Sequence, residues 1–349
     1  MTDRRFLLLL FFAACMGTAA WAQVQSDVEV IHLRGPVYMI AAGGVNLTAS
    51  IGPDGVLLAD TGPAALSDKI QAAIREVQKE QDIARALMEQ APLGGAEVRS
   101  ATQTLLYGKS QAKSSGPVRF ILNTNVYPDH NGGNPKMAIA IPEQLSAQDP
   151  SEIATHVYAH ENVLQRASGA TGDHPVPFEF WPSDVYSASI YKLTSYFNGE
   201  GIELLHVPAA STDGDSFVWF RTSDVISAGD IYRTDAYPTP DLAMGGNIQG
   251  VIEGLNQLLD LAIPEYRQEG GTLIVPGHGR VSDSGDVAAY RDMVTIIRDR
   301  VQHLIEQGKT MEQIKAAKPS SDYDPRYGKA PGSVDKFIEA IYRSLNTKS

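Results

Sequence analysis

The order of strand-like and helix-like segments repeats in the two halves of this 349-residue chain. Each half begins with short apolar stretches separated by turns and continues with segments whose apolar residues recur at helical spacing. The first half contains the expected strands of an antiparallel meander: Val28–Leu33, Val37–Ala42, Val45–Ile51 and Gly55–Asp60. The second half contains Ile202–His206, Phe217–Arg221, Val225–Ser227 and Leu273–Val275, and a further strand is expected at Val118–Leu122. This order predicts an α+β fold in which two sheets pack face to face and are covered by helices.

Helical periodicity marks the segments that would cover the sheets. The expected helices run from about Ile70 to Pro92, then Glu161–Ala167, Ile248–Leu261, Val287–Glu306, a short one near Met311, and Val334–Leu345 with Ser333 as its cap. The C-terminal helices therefore begin at about residue 310. Residues 93–117 are rich in Gly, Ser and Lys and read as an inserted loop. Residues 23–349 are expected to form a single domain.

The N-terminus has the features of a secretory signal. Arg4 and Arg5 precede the apolar run 6–16, and Ala20-Trp21-Ala22 supplies the small residues of a cleavage site. Cleavage after Ala22 would give an exported protein, periplasmic or secreted. No later segment approaches the ~20 apolar residues that a spanning helix requires. We therefore expect no membrane span.

The one cysteine of the chain, Cys15, lies within this signal. The mature protein would then have no disulfide bond, thiolate metal ligand or cysteine nucleophile. An alternative is a lipoprotein acylated at Cys15, although Phe12 occupies a position that favours a small aliphatic residue.

Composition and net charge indicate which kinds of molecule the chain can bind. With 43% hydrophobic residues the chain can bury a substantial core. Its formal net charge of -12 opposes binding to phosphate backbones. Nucleic acid is therefore excluded as an expected partner, and a small-molecule substrate is favoured. The sequence does not indicate the oligomeric state.

Two short motifs have both a catalytic and a plain interpretation. Asp60-Thr61-Gly62 matches the aspartic-protease triplet, but no second triplet exists to share a proton with it. A strand-to-helix turn is the favoured interpretation. Ser110-Gln111-Ala112-Lys113 matches the S-x-x-K motif of serine acylases, yet it lies in the Gly/Ser/Lys-rich loop without a helix to present the serine. We interpret it as exposed linker.

The segment after the strand Val118–Leu122 reads Asn123-Thr124-Asn125-Val126-Tyr127-Pro128-Asp129-His130 and continues with Asn131-Gly132-Gly133. In an extended chain, residues 125, 127 and 129 project to one side and residue 130 to the other. Carboxylate and imidazole are ordinary metal ligands, so the segment is compatible with a metal loop. Alternatively, Asp129 pairs with His130 or caps a helix at Asn134.

Three later segments also follow predicted strands or open them. They are Ser211–Asp215, Ala228-Gly229-Asp230 and Val275–Gly279, the last containing Gly277-His278-Gly279. Loops at the ends of strands are where sites are commonly built. In order and spacing, these segments together with Gly55–Gly62 and Asn123–Gly133 resemble the metallo-β-lactamase-fold superfamily.

The resemblance implies a four-layer αββα sandwich with up to two metal ions in a cleft along one edge. The ligands of the second metal site of the family correspond here to Asp129, His130, Asp230 and His278. The three histidines of the first site are replaced by Asn125, Tyr127 and Ser211, which are poor substitutes for imidazole. One metal is therefore expected, zinc first and manganese or iron next. A subclass of metallo-β-lactamases with Asn at the first position and one zinc gives a partial precedent.

The expected activity is hydrolysis of an ester, lactone or amide-type bond by a metal-activated water. Asp129 or Asp230 would orient the water as a base, and Tyr127 would donate a hydrogen bond to the developing oxyanion. Three alternatives remain open: a catalytically silent member of the fold that binds a small molecule or partner, a metal-free network in which His130 and His278 are protonated, and redox chemistry at iron.

Overall fold

The structure is a computed structural model that describes residues 27–90, 116–139, 155–171, 175–193, 196–264, 267 and 270–346. The predicted signal segment with Cys15, and residues 91–115 of the predicted inserted loop, lie outside the described residues. The Ser110–Lys113 motif lies outside them as well.

The first sheet has seven strands whose spatial order follows the chain. They are β1 (Val28–Arg34), β2 (Val37–Ala42), β3 (Val45–Gly52), β4 (Gly55–Ala59), β5 (Val118–Leu122), β6 (His156–His160) and β7 (Asp184–Tyr186). Strands β1 to β4 form the predicted antiparallel meander, whereas β4 to β7 pair in parallel. Parallel neighbours place their carboxyl ends at one edge of the sheet. Loops from several strands therefore meet there.

The second sheet has five strands in the spatial order β12-β11-β10-β9-β8. They are β8 (Ile190–Lys192), β9 (Ile202–His206), β10 (Ser216–Phe220), β11 (Val225–Ser227) and β12 (Leu273–Val275). Only β11 and β12 pair in parallel within this sheet. The carboxyl ends of β11 and β12 consequently lie side by side, and each is followed by a segment that the sequence singled out.

Helices cover the outer face of each sheet. The α-helices are α1 (Ser67–Gln90), α2 (Pro128–Asn131), α3 (Asn134–Ile139), α4 (Glu161–Ala167), α5 (Ile248–Leu261), α6 (Ser284–Glu306), α7 (Met311–Ala317), α8 (Asp324–Tyr327) and α9 (Ser333–Asn346). The expected helices all form, within a few residues of the predicted bounds. Ser333 is the first residue of α9, and its hydroxyl donates to the Ala330 carbonyl instead of capping a helix N–H group as predicted.

Three apolar clusters separate the layers. One lies between the first sheet and α1 and contains Leu47 and Ile70. A second lies between the two sheets and is built from both, with Leu57 and Val218 among its members. The largest lies between the second sheet and the helices α5, α6 and α9. The order helix, sheet, sheet, helix is the predicted αββα sandwich, so the predicted fold class is confirmed.

Two features differ from the sequence-based expectation. Strands β6, β7 and β8 were not predicted, and His156 and His160 form the two ends of β6. The segment 128–131 was expected to be extended but forms the helical turn α2. Pro128 occupies the first turn of α2, where its fixed φ suits a helix and its missing N–H is not needed. Asp129 and His130 therefore project from a helical turn.

Within the described residues, no helix combines the length and apolar character needed to cross a bilayer.

The packing of α9 against the sandwich yields a prediction about stability. Ile341 is fully buried in the largest cluster. We expect Ile341→Ala to lower the free energy of unfolding by about 2–5 kcal/mol, because it leaves a cavity in the core. Ile296 on α6 is 38% exposed, so Ile296→Ala should cost much less. Urea unfolding of the two variants checks this, and equal costs would contradict the packing of α9.

Candidate metal centre

Four acidic or imidazole side chains from distant parts of the chain meet at one edge of the sandwich. Asp129 and His130 lie on α2, shortly after β5 of the first sheet. Asp230 lies in a single 3₁₀ turn, Gly229–Ile231, immediately after β11 of the second sheet. His278 lies three residues after β12. The structure thus brings together the four residues that the sequence singled out as ligands of one metal.

One carboxylate oxygen of Asp230 is at the centre of this group. Its Oδ1 lies 3.1 Å from Nε2 of His278 and 3.2 Å from Nε2 of His130. Oδ2 of Asp129 lies 3.8 Å from Nε2 of His278. Asp129, His130 and His278 each offer a ligand atom within 4.8 Å of those of the other two. These spacings allow Asp129, His130 and His278 to address a common point of cation size, with Oδ1 of Asp230 against both imidazoles.

Asp60 fixes the orientation of His130. Nδ1 of His130 donates to Oδ2 of Asp60 at 2.8 Å, and both side chains are buried. The Asp60 carboxylate also accepts from the backbone N–H and the hydroxyl of Thr124, at 2.8 and 2.7 Å. With Nδ1 engaged in this way, Nε2 of His130 is directed towards Asp230.

From the sequence, Asp60 was interpreted as part of a strand-to-helix turn, and the structure confirms that position at the end of β4. The contact between Asp60 and His130 was not predicted. The backbone of Asp60 has φ 65°, in the left-handed region that few non-glycine residues adopt. The signal available in the sequence was an acidic residue directly after the apolar strand Gly55–Ala59.

A backbone carbonyl fixes the orientation of His278. Nδ1 of His278 donates to the carbonyl oxygen of Gly44 at 2.8 Å, which leaves Nε2 facing Asp230 and Asp129. The preceding residue must be glycine, because a Cβ on Gly277 would lie 2.7 Å from the Gly229 carbonyl oxygen and 2.9 Å from Oδ1 of Asp230. Both imidazoles therefore present Nε2 to the same carboxylate.

Two of the facing atoms make an ion pair without good hydrogen-bond geometry. Nε2 of His130 and Oδ1 of Asp230 are buried and lie 3.2 Å apart, and among the described residues neither makes a hydrogen bond of suitable geometry. A buried polar group whose hydrogen bonding is incomplete is costly. A cation bound by both atoms would remove that cost, and a set of two imidazoles and two carboxylates suits zinc, manganese or iron. The residues present therefore fit a metal ion.

The charges of the group are strongly coupled. Burial opposes the charged form of His130, but the carboxylates of Asp230 and Asp60 outweigh it and raise the pKa of His130 well above its ordinary value. Burial alone would raise the pKa of Asp230, whereas His130 and His278 bring it well below its ordinary value. The same side chains can thus form the metal-free network that the sequence left open.

The three residues at the substituted first-site positions lie beside this group. Asn125 and Ser211 are buried and both contact Asp230. The phenol of Tyr127 lies 3.5 Å from Oδ2 of Asp241. Burial first, and then the negative charge of Asp241, raises the pKa of Tyr127. The phenol is therefore protonated at neutral pH and acts as a donor.

A cleft of about 520 Å³ opens onto the group. Tyr127, Asp129, Asp230 and His278 line its floor, and α9 contributes one wall through Lys336, Phe337 and Ala340. Asp129 is the more accessible of the two metal-site carboxylates, since its side chain is 46% exposed against 10% for Asp230. A small molecule entering the cleft would meet Asp129 and Tyr127.

Two further histidines stack near this edge. The rings of His160 and His206 are parallel, with centroids 3.5 Å apart. Nδ1 of His160 accepts the Asn162 N–H at the start of α4, and Nδ1 of His206 donates to the Asp215 carbonyl. Nδ1 of His160 can accept only while that ring is neutral, and both rings are held by contacts to the backbone, as structural residues are.

Comparison with protein-family models gave no match, and neither did comparison with curated protein sequences. Among solved structures, the stereoselective inverting sec-alkylsulfatase Pisa1 from Pseudomonas sp. matches with a TM-score of 0.55 and 14% identity, over 92% of this chain and 51% of that one. A double mutant of PisA1 gives 0.56 and 13% over the same shares. The DIM-1 metallo-β-lactamase gives 0.49 and 12%, over 77% of this chain and 97% of that one.

This chain therefore spans about half the length of the alkylsulfatase. At such identities the likeness shows the fold alone, and the fold is the metallo-β-lactamase fold. The fold that the sequence motifs implied is confirmed.

The stacked histidines make folding stability depend on pH. Burial, followed by the charge of His206, lowers the pKa of His160 to about 4, against the opposing effects of Asp213 and the Ser187 carbonyl. Burial also lowers the pKa of His206, against its bond to the Asp215 carbonyl and the charges of Asp213 and Glu161. The unfolded chain protonates these two histidines first as the pH falls, so the stability that the neutral pair contributes should be lost from about pH 6.5 towards pH 4.

We expect His160→Asn to make this decline shallower, because asparagine can still accept the Asn162 N–H but does not titrate. Urea unfolding at several pH values measures the slope. His303→Asn, on the exposed face of α6, is the matched control and should retain the wild-type slope. An unchanged slope in His160→Asn would show that the stack does not control this pH dependence.

Proposed function

We propose that this protein is an exported metal-dependent hydrolase that acts on an ester, lactone or amide-type bond and uses one metal ion. The observation that carries the proposal is the convergence of four side chains that can ligate a metal: Nε2 of His130 and Oδ1 of Asp230 are buried without good hydrogen-bond geometry, and His278 and Asp129 lie beside them. Asp129, Asp230 and His278 line a cleft with room for a small molecule, which supports the proposal.

Asp129, His130, Asp230 and His278 would hold the ion, with zinc favoured over manganese or iron. When bound, the metal supplies a Lewis acid that polarises the scissile carbonyl and lowers the pKa of water towards 7. Asp60 and the Gly44 carbonyl keep the two imidazoles in the required tautomer.

Asp129 is the better placed of the two candidate bases. One oxygen of Asp230 is buried between the two imidazoles, and the other accepts from Asn125. Asp129 is half exposed at the floor of the cleft and is free to orient a water and accept its proton. We assign the base to Asp129 and a supporting role to Asp230.

Tyr127 would stabilise the developing oxyanion. Its phenol is protonated, lines the cleft and has only a long contact to Asp241, so it can turn to donate to the substrate oxygen. This donor would substitute for part of the charge stabilisation that a second metal supplies in a two-metal site.

Export rests on the sequence alone. The basic residues, apolar run and Ala20-Trp21-Ala22 support cleavage after Ala22. N-terminal sequencing of the protein recovered from the periplasm or medium would begin at Gln23, whereas a lipid-modified Cys15 at the N-terminus would establish the lipoprotein alternative.

One prediction of the proposed function concerns metal content. After incubation with Zn²⁺ and removal of free metal, elemental analysis should give one ion per chain. Asp230→Ala and His278→Ala should each lose most of it, because a ligand is removed. His303→Ala, far along α6, should retain one ion. A wild-type protein without bound metal under Zn²⁺, Mn²⁺ and Fe²⁺ would refute the proposal in favour of the metal-free network.

A further prediction of the proposed function concerns turnover. The zinc-loaded protein should hydrolyse at least one substrate in a panel of esters, lactones, β-lactams and a secondary alkyl sulfate, the last because an alkylsulfatase shares the fold. Tyr127→Phe should lower kcat by about 100-fold without loss of metal, since it removes one oxyanion donor. Tyr196→Phe, 78% exposed, is the control. One bound ion with no turnover across the panel would favour the silent, ligand-binding alternative.

A further inference from the structure

The residues at the first-site positions are arranged as hydrogen-bond donors. Oδ1 of Asn125 accepts the N–H of Tyr127 at 2.9 Å, which fixes the orientation of the amide. Nδ2 of Asn125 then faces Oδ2 of Asp230 at 3.4 Å. Asn125 is 1% exposed, so no water competes for this contact. An N–H group therefore points at Asp230 from a position where a metal ligand would need a lone pair.

Ser211 supports Asp230 from the backbone side. Its hydroxyl is fully buried and donates to the carbonyl oxygen of Asp230 at 3.1 Å. The carbonyl of Ser211 itself accepts the N–H of Asp241 at 2.8 Å, so the serine belongs to a fixed loop. Asp230 is held at both its carboxylate and its main chain.

The turn that carries Asp230 needs this support. Gly229 has φ 51°, and a Cβ there would lie 2.7 Å from Oγ1 of Thr124, so the turn packs tightly against the loop after β5. Thr124 in turn holds Asp60, which orients His130. The position of Asp230 relative to His130 is thus set by a continuous series of contacts between the two sheets.

We infer that Asn125 and Ser211 are positioning residues for Asp230, and that they have converted the first metal site of the fold into a support for a single-ion site. The inference rests on the proposed function. It explains why the three substitutions leave the second set of residues in place, because a carboxylate held by the protein needs no first metal to orient it.

The test measures the dissociation constant for Zn²⁺ by competition with a chromophoric chelator. Asn125→Leu keeps the approximate volume and removes the donor, and Ser211→Ala removes the hydroxyl. Each should weaken zinc binding by about 10-fold or more, the usual effect of removing a partner of a metal ligand. Ser320→Ala is the matched control, because Ser320 is equally buried but its hydroxyl has no partner among the described residues.

A second measurement separates positioning from a general effect on folding. In an Asp230→Ala background, Asn125→Leu and Ser211→Ala should cause no further loss of zinc affinity, because the group they orient is gone. The unfolding free energy, followed in parallel, reports any loss of fold in a variant. Should one variant fail to fold, the other carries the test.

The outcomes distinguish the two proposals. Wild-type protein that binds no metal refutes the proposed function. Wild-type protein that binds one ion, with both variants binding as tightly as wild type, overturns the positioning role alone. The positioning role is also overturned if Asn125→Leu and Ser211→Ala weaken zinc binding as much in the Asp230→Ala background as in the wild type. The effect would then not pass through the Asp230 carboxylate.

Discussion

The contact of Asp230 with two imidazoles joins the two sheets at one edge. His130 comes from the first sheet, whereas Asp230 and His278 come from the second. The interior between the sheets is apolar, and apolar packing is non-directional. Directional hydrogen bonds also join the sheets: at this edge, Nδ1 of His278 donates to the Gly44 carbonyl, and the Asn46 amide donates to the carbonyls of Pro276 and Gly279. These contacts help to set the alignment on which the cleft depends.

The site concentrates negative charge in a chain that is already acidic. Asp60, Asp129 and Asp230 lie within contact of His130 or His278, and Asp241 is close to Tyr127. Buried carboxylates of this density need a positive partner. Either protonated histidine or a divalent ion can supply this positive charge. A proton and a metal ion cannot both occupy Nε2 of His130. Competition between a proton and a metal is therefore inherent in this arrangement.

The sequence predicted those parts of the fold that have a clear period or a clear turn. Strands β1 to β4 are apolar runs separated by turns that contain glycine, and α5 has a strong apolar face. Their bounds are therefore close to those predicted. Strands β7 and β8 carry exposed Val185 and Ile190, so neither shows the buried apolar run that marked the equally short β11 and β12. Only pairing with neighbouring strands identifies them.

The candidate site was predictable for a different reason. The four proposed ligands follow strand ends in an order that motif spacing preserves, so Asp129, His130, Asp230 and His278 could be selected together. The role of Asp60 depends on a contact across seventy residues of chain, which no local pattern encodes. Asn125 and Ser211 were identified as substitutions, but their bonds to Asp230 emerge only when the two sheets are assembled.

Phe337 belongs at once to the wall of the cleft and to the largest apolar cluster, where its ring stacks on Tyr237 with centroids 4.6 Å apart. Such a ring cannot rotate to accommodate a bulky guest without disturbing the helices behind it. The shape of the cleft on that side is consequently set by the interior of the protein, so altering it would require changing the core and not merely the surface.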